Sequence, residues 1–286
     1  TPLSSSAASD VYKRQVPIGA AVTDGYNAGH GLPFDSEGMK ERYPDIFFSQ
    51  FTGAELVADK WNLSREDLDQ FALESHQKAA QATESKYFDK EILPVEGKNA
   101  EGINDLVMAD EGIRFDASLD KLAGLNPVTE GGKITAGNAS QITDGAAAVL
   151  ICNDAGLKKI KSNPRAEIVS ISVVGDDPVF MLTGPIPASH KALDIAKLSI
   201  DDMDIYEVNE AFAPVPLAWA EELKADRSKL NVNGGAMALG HPLGATGAKL
   251  MTTMLHELER RKGKYALQAI CEGGGTANAT IIKRVS

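Results

Sequence analysis

The chain has 286 residues, of which 43% are apolar and 24% charged, enough for a substantial core in one large or two medium domains. Its net charge of -11 argues against the basic face of a nucleic-acid binder, although a local cluster of N–H groups can still hold an anionic ligand. No apolar run reaches the roughly 18–20 residues needed to span a bilayer.

Residues 1–15, TPLSSSAASDVYKRQ, show no apolar periodicity and no apolar stretch after their basic cluster. They are read as an assembly scar or disordered segment and excluded from fold reasoning. From about Gly25 to Gly137 the chain is polar and irregular, with helical islands. Ser64 followed by Asp67 and Leu68 marks a helix start, and LDQFALESHQKAAQA keeps helical spacing. ADEGIRFDASLDKLAGLNPV reads as loop with short turns. GAAAVLICN, from Gly145, is a short apolar run with the pattern of a buried strand. AEIVSISVVGDD is a second strand, ASHKALDIAKLSI an amphipathic helix, and DDMDIYEVNEAFA passes from strand to loop. LNVNGGAMALGHPLGATGAKLMTTMLHELERRKG reads as strand, glycine-rich loop and long helix. Leu250, Met251, Met254, Leu255 and Leu258 form one face of that helix. YALQAICEGGG and TANATIIKRV are two strands around a glycine turn. Strands alternating with helices predict an α/β fold with helices layered on a sheet.

Two cysteines far apart, Cys152 and Cys271, argue against a disulfide framework and for a reducing, cytoplasmic compartment, with organellar targeting left open. Five scattered histidines without ligand spacing to a cysteine give no expectation of a metal site. Cys152 ends an apolar run and reads as a packed core cysteine. Cys271 precedes Gly273–Gly275, so a thiol sits beside backbone N–H groups able to stabilise an oxyanion. A strand-end cysteine before a hairpin turn is the plain alternative. His241, before Pro242 in a glycine-dense loop, is either a surface histidine or a catalytic one. Asn209 and Glu210 place an amide and a carboxylate at a strand end, where an Asx turn or cap competes with holding a water or substrate oxygen. TAGNASQITDGAAA combines small residues with Ser140, suiting the passage of a narrow acyl arm or an ordinary loop.

Taken in order, TAGNASQITDGAAA, VNEAFA, GGAMALGHPLGATGA and CEGGG resemble the thiolase family, the acetyl-CoA acetyltransferases and 3-ketoacyl-CoA thiolases. The resemblance runs from about Val16 to Ser286. It implies the layered thiolase fold of βαβαβ halves, with the first half incomplete. A loop domain is expected at 16–132, the last strand and helix of the first half at 133–160, and the C-terminal domain at 161–286 with a five-stranded sheet. It also implies an acyltransferase that condenses or thiolytically cleaves acyl-CoA through a cysteine acyl-enzyme. Coenzyme A is then a substrate, no cofactor is needed, and the full-length protein is a homodimer or homotetramer.

The resemblance further implies individual roles. His241 activates the nucleophilic cysteine and donates to the thioester oxygen. Cys271 is the acid/base at the α-carbon of acetyl-CoA. Asn209 holds the water of one oxyanion hole, and the Gly273 N–H contributes to the second. Ser140 and Ala136 line the pantetheine channel, Ala211 and Phe212 shape the acyl end, and Arg114 lies beside the CoA nucleotide.

Two departures stand out. Neither Cys152 nor Cys271 matches the family's nucleophile, which belongs ahead of Val16, so an N-terminally truncated chain, inactive alone, is expected. SQF at Ser49–Phe51 replaces a histidine and methionine frequent in short-chain members and leans towards a bulkier acyl group. A β-ketoacyl synthase is the alternative within the fold, against which Cys271 argues, since those enzymes use a histidine there. A non-catalytic thiolase-like protein that binds acyl-CoA or lipid is the alternative of another class.

Overall fold

The computed structural model describes residues 3–10, 20–32, 34–98 and 102–285. Its first part runs β1 (Leu3–Asp10), α1 (Ala20–Asn27), α2 (Glu37–Arg42), α3 (Gln50–Lys60), α4 (Arg65–Glu84), β2 (Val95–Lys98), β3 (Asn104–Val107), α5 (Leu119–Ala123), β4 (Gly145–Cys152) and α6 (Asp154–Ile160). The second part runs β5 (Ala166–Gly175), α7 (Pro185–Ala196), β6 (Ile205–Val208), α8 (Pro214–Glu222), α9 (Ala236–Leu239), α10 (Thr246–Arg261), β7 (Tyr265–Cys271) and β8 (Thr276–Arg284).

Local chemistry explains several boundaries. The Ser64 hydroxyl accepts from Asp67 N at 3.1 Å while the Asp67 carboxylate accepts from Ser64 N at 2.8 Å, a capping box that starts α4 where the sequence places it. Leu68, Phe71, Ala72, Ala79 and Ala82 then bury one face of that helix. Asn153 caps α6 by accepting from Gly156 N at 2.9 Å. The stretch expected to be loop and turns contains the one-turn helix α5, capped by Ser118. The β2–β3 hairpin in the same irregular region carries no strand periodicity in its sequence.

β5–β8 form a four-stranded sheet in the order β5-β8-β7-β6. β8 is antiparallel to both β5 and β7, while β6 and β7 are parallel. The turn between β7 and β8 needs Gly274 and Gly275 at φ 75° and 80°, a region L-residues rarely adopt. Side chains alternate across the sheet. Tyr206, Val208, Leu267, Ala269, Cys271 and Ile281 join the main core with α7 and α8, and Ile205, Ala266 and Ile282 pack with Met254 and Leu258 of α10. Of the apolar face expected on α10, Leu250, Met254 and Leu258 are buried, whereas Met251 and Leu255 are half-buried.

Three expectations need correction. The fifth strand of this sheet is reduced to a single bridge between Leu230 and Tyr206. Asn231, at φ 44°, turns the chain away, and its side-chain amide takes over the pairing. Its oxygen accepts from Val208 N and its nitrogen donates to Val208 O, both at 2.9 Å. β4 is a strand, but not one buried on both faces: Leu150 is 60% exposed, and Cys152 is half-buried rather than a core residue. Finally, Leu3–Asp10, set aside as scar or disorder, pairs antiparallel with β4 from Leu3↔Cys152 to Asp10↔Gly145. Main-chain pairing needs no apolar periodicity in the partner, which is why composition missed it. Residues 11–15 lie outside the described residues.

Candidate active site

β6 and β7 lie side by side and parallel, so their carboxyl ends open at one edge of the sheet, where α/β proteins build ligand sites. Asn209 follows β6 directly, is 1% exposed, and is fixed by its N–H to Ala269 O of β7 at 3.0 Å. Its Nδ2 lies 3.4 Å from His241 Nε2. Among the described residues its Oδ1 is buried without a hydrogen-bond partner, leaving an acceptor for a water or substrate group. The other ring nitrogen of His241, Nδ1, is 2.7 Å from Thr246 Oγ1 at the start of α10.

Four consecutive residues tie the site together. Ala213 N donates to Asn138 O at 2.9 Å, Ala139 bridges Phe212, Ser140 N donates to Ala211 O at 2.9 Å, and His241 N donates to Gln141 O at 3.1 Å. Segment 138–141 is therefore a short extended splice between the Asn209 loop and the His241 loop. It brings Ser140, Ala211 and Phe212 to the Asn209–His241 pair. Gln141 Nε2 also donates to Gly112 O at 2.8 Å and Met237 O at 2.6 Å, drawing in the loop that carries Arg114. Arg114 itself is exposed, and its N–H donates to His76 Nδ1 at 3.1 Å. Burial, with the Arg114 charge adding, lowers the His76 pKa to about 4, consistent with a neutral ring accepting that bond. Ala136 is exposed, two residues before the splice.

Cys271 ends β7, the strand next to Asn209, and its side chain faces the main core with Leu267 and Ala269. The contact formed directly is Asn209 with His241, and Cys271 shares their end of the sheet. Burial pushes the Cys271 thiol up to about 12, and Glu272 adds to the shift, so the resting group is a neutral thiol. Gly273 begins the exposed turn that follows.

The sequence singled out Glu210 without a role. Its carboxylate accepts from Ser75 Oγ at 2.7 Å, Asn231 Nδ2 at 2.9 Å and Met237 N at 3.1 Å, locking α4 to the loop that leads to His241. A Cβ on Gly235 would lie 2.3 Å from that carboxyl carbon, so the glycine there makes room for the lock. Gln141 and Thr246 were missed, although both stand inside quoted motifs. Their partners are distant or depend on ring orientation, and no spacing rule exposes them.

A mixed sheet thus carries an asparagine–histidine pair and a cysteine at the carboxyl ends of its parallel strands. Residues 13–155 match the family model described as thiolase, N-terminal domain, and residues 162–284 match thiolase, C-terminal domain. Over 272 residues the chain is 54% identical to steroid 3-ketoacyl-CoA thiolase FadA6 of Mycobacterium tuberculosis, covering 95% of this chain and 65% of that protein. It is 41% identical over 272 residues to the acetyl-CoA acetyltransferase of Paracoccus denitrificans, covering 94% and 69%. A crystal structure of human mitochondrial 3-ketoacyl-CoA thiolase in complex with CoA superposes with a TM-score of 0.83 at 36% identity, covering 99% of this chain and 71% of that one. The chain belongs to the thiolase family. It spans 65% of the length of its mycobacterial relative.

Proposed function

We propose that the protein is an acyl-CoA C-acyltransferase of thiolase type, with coenzyme A thioesters as substrates. The observation that carries this reading is the Asn209–His241 contact beside Cys271 at the carboxyl ends of β6 and β7. In the condensing direction the neutral Cys271 thiol first gives its proton to the CoA thiolate that leaves when the acyl group is transferred to the enzyme, and the Cys271 thiolate so formed takes the α-proton of acetyl-CoA. The carbanion attacks an acyl-enzyme thioester, a C–C bond forms, and the thiolate of the acylated cysteine leaves. A thiol raised to about 12 yields, once deprotonated, a strong base suited to a weak carbon acid. Donors at the enolate oxygen, which include the Gly273 N–H in this reading, lower the cost of that step. The acceptor Asn209 Oδ1 suits the water assigned to the first oxyanion hole.

Ser140 and Ala136 line the pantetheine path, and Arg114 meets the nucleotide end. Ala211 and Phe212 shape the acyl end, where Phe51 stands edge-on to Phe212 with ring centroids 5.5 Å apart. The aromatic wall and the Ser49–Phe51 segment support a bulkier acyl group than acetyl. Neither Cys152 nor Cys271 is the acyl-carrying thiol in this reading: one ends β4, and the other is the α-carbon base. A homodimer or homotetramer in the cytoplasm completes the proposal. Among the described residues, no helix is long and apolar enough to cross a membrane.

The test separates the two half-reactions. Acetyl-CoA incubated with the protein in D2O exchanges its α-protons, and Cys271→Ala lowers that rate by about 10²–10⁴-fold, the range for a general acid or base. Intact-mass analysis after the same incubation shows no acyl adduct on Cys152 or Cys271. Exchange that is indifferent to Cys271→Ala sinks the assignment of the base, and an adduct on either cysteine relocates the nucleophile.

A further inference from the structure

Lys78 of α4 and Arg260 and Arg261 of α10 face one hollow of about 300 Å³, completed by Gln81, Tyr87 and Asn233. Among the described residues, no carboxylate lines it. The hollow lies at the carboxyl end of α10, whereas Thr246, which meets His241, starts that helix. At 1.5 Å per residue, about 20 Å of helix separates it from the Asn209–His241 pair. In a chain of net charge -11, three cations facing one hollow make a local field opposite in sign to the whole.

These cations are held by neighbours that do not cancel them. The Glu257 carboxylate accepts from Arg260 Nε at 2.9 Å, from Arg261 Nε, and from Asn233 Nδ2 at 3.0 Å. Arg260 also lies over Tyr87, its guanidinium carbon 3.8 Å from the ring centroid. Lys78 Nζ donates to the neutral Leu230 O at 3.0 Å. Glu257 thus supplies one negative charge and the carboxyl end of α10 about half of one, against three positive charges. Glu210, whose field reaches Lys78, is fully buried and turns its carboxylate to Ser75, Asn231 and Met237. The arginine side chains are 36% and 40% exposed, so a ligand can reach them. An adjoining hollow of about 360 Å³ sets Asp89, Glu91, Glu257 and Glu259 against Lys86, Lys90 and Arg260, and offers an anion no such surplus.

We propose that the hollow between α4 and the carboxyl end of α10 binds a soluble phosphate or small phosphomonoester dianion, gripped by Arg261, Arg260 and Lys78. The surplus of about one and a half positive charges suits a dianion better than a monoanion. Arg261 spends its Nε on Glu257, which leaves the four terminal N–H groups of the guanidinium fork to grip two phosphate oxygens. Lys78 adds a point charge from the opposite helix, and Gln81 an amide donor. Glu257 and the Tyr87 ring fix the guanidinium groups beforehand, so little side-chain freedom is lost on binding. A volume of about 300 Å³ leaves room for a short organic arm beside the phosphate. The site stands apart from the acyltransferase reading and does not rest on it.

Isothermal titration calorimetry of the full chain with sodium phosphate, against sodium chloride at equal ionic strength, tests the site. One saturable event with Kd of about 1 mM or below is expected for phosphate and none for chloride. Arg261→Gln and Lys78→Gln should each weaken it by about tenfold or more, and Lys191→Gln, an exposed cation on α7, should leave it unchanged. A measurement on the native chain needs no variant to fold. Phosphate should slow modification of Arg261 by phenylglyoxal by about threefold or more, as peptide mass spectrometry reads it, while Arg165, comparably exposed and paired with Glu259, is modified at the same rate with and without it. Vesicles of phosphatidic acid separate a lipid head group from a soluble ligand, and no Arg261-dependent sedimentation with them is expected. Heats that do not saturate, equal heats with chloride, affinity unchanged in both the Arg261 and Lys78 variants, or an Arg261 that phosphate does not protect would each overturn the proposal. Arg261-dependent capture by the vesicles would overturn the soluble ligand.

Discussion

Cys152 and Cys271 each end an apolar strand, yet the two strand ends have little else in common. Among the described residues β4 pairs only with β1, one row of its side chains faces outward with Leu150 60% exposed, and Cys152 is half-buried. β7 lies inside a four-stranded sheet between β6 and β8, and its last residue is sealed against a core built by α7 and α8. A run of apolar residues into a cysteine is thus the same text in both places. What separates them is the number of neighbours the fold supplies. A strand with a partner on each side and a helical layer beneath it desolvates its terminal thiol, whereas a two-stranded ribbon does not.

The sharpest way to test that difference is to damage the layer beneath β6 and β7. Trp219 of α8 is fully buried, its ring centroid is 5.3 Å from that of Tyr206, and its indole N–H donates to Ser189 Oγ at 2.8 Å. Trp219→Ala should cost about 3–5 kcal/mol of unfolding free energy, and Leu150→Ala on β4 less than about 0.5 kcal/mol, measured by urea denaturation. Comparable losses at the two positions would mean that β4 is covered in solution after all. The thiols give the next largest effect. A neutral thiol raised to about 12 reacts slowly with alkylating agents. At pH 8, Cys152 should be carboxamidomethylated more than about tenfold faster than Cys271, as followed by peptide mass spectrometry, because only exposed thiolate reacts. Equal rates would show that the end of β7 opens readily.

How much of this was legible depended on whether a feature was local. The Ser64–Asp67 start of α4, the strand from Gly145, the hairpin at CEGGG and the buried stripe of α10 follow from short-range spacing, and all are present. The missing fifth strand was not legible, because Asn231 replaces backbone pairing with its side chain across 23 positions. Segment 138–141 reads as loop because its strand-like bonds reach residues 211–213 and 241. The quoted motifs named Asn209 and His241, and the structure supplied their contact. The motifs could not supply Thr246, whose meaning depends on which side of an imidazole ring it meets.

The last and smallest effect concerns a carboxyl group the same end of the sheet conceals. Glu207 is 1% exposed on β6, in register with Gln268 of β7, and faces the α10 side. Glu207 Oε1 and Gln268 Oε1 are both buried without hydrogen-bond partners among the described residues. Burial, with the charge of Glu210 adding, pushes the Glu207 carboxyl well above the usual carboxylate range. A protonated Glu207 can donate to Gln268 Oε1, which an ionised one cannot. In the unfolded chain this carboxyl ionises in the ordinary glutamate range, while in the folded chain it keeps its proton. The folded state therefore binds more protons above that range, and stability contributed by this group falls as pH rises through it. Glu207→Gln keeps a donor and removes the titration. The variant should lie within about 1 kcal/mol of the native protein at acid pH, since one neutral hydrogen bond replaces another of similar worth. It should then gain on the native protein as urea midpoints are compared from pH 5 to pH 8. Parallel pH profiles for the two proteins would show that Glu207 is ionised in the fold, and that the polar pair beneath α10 is solvated rather than dry.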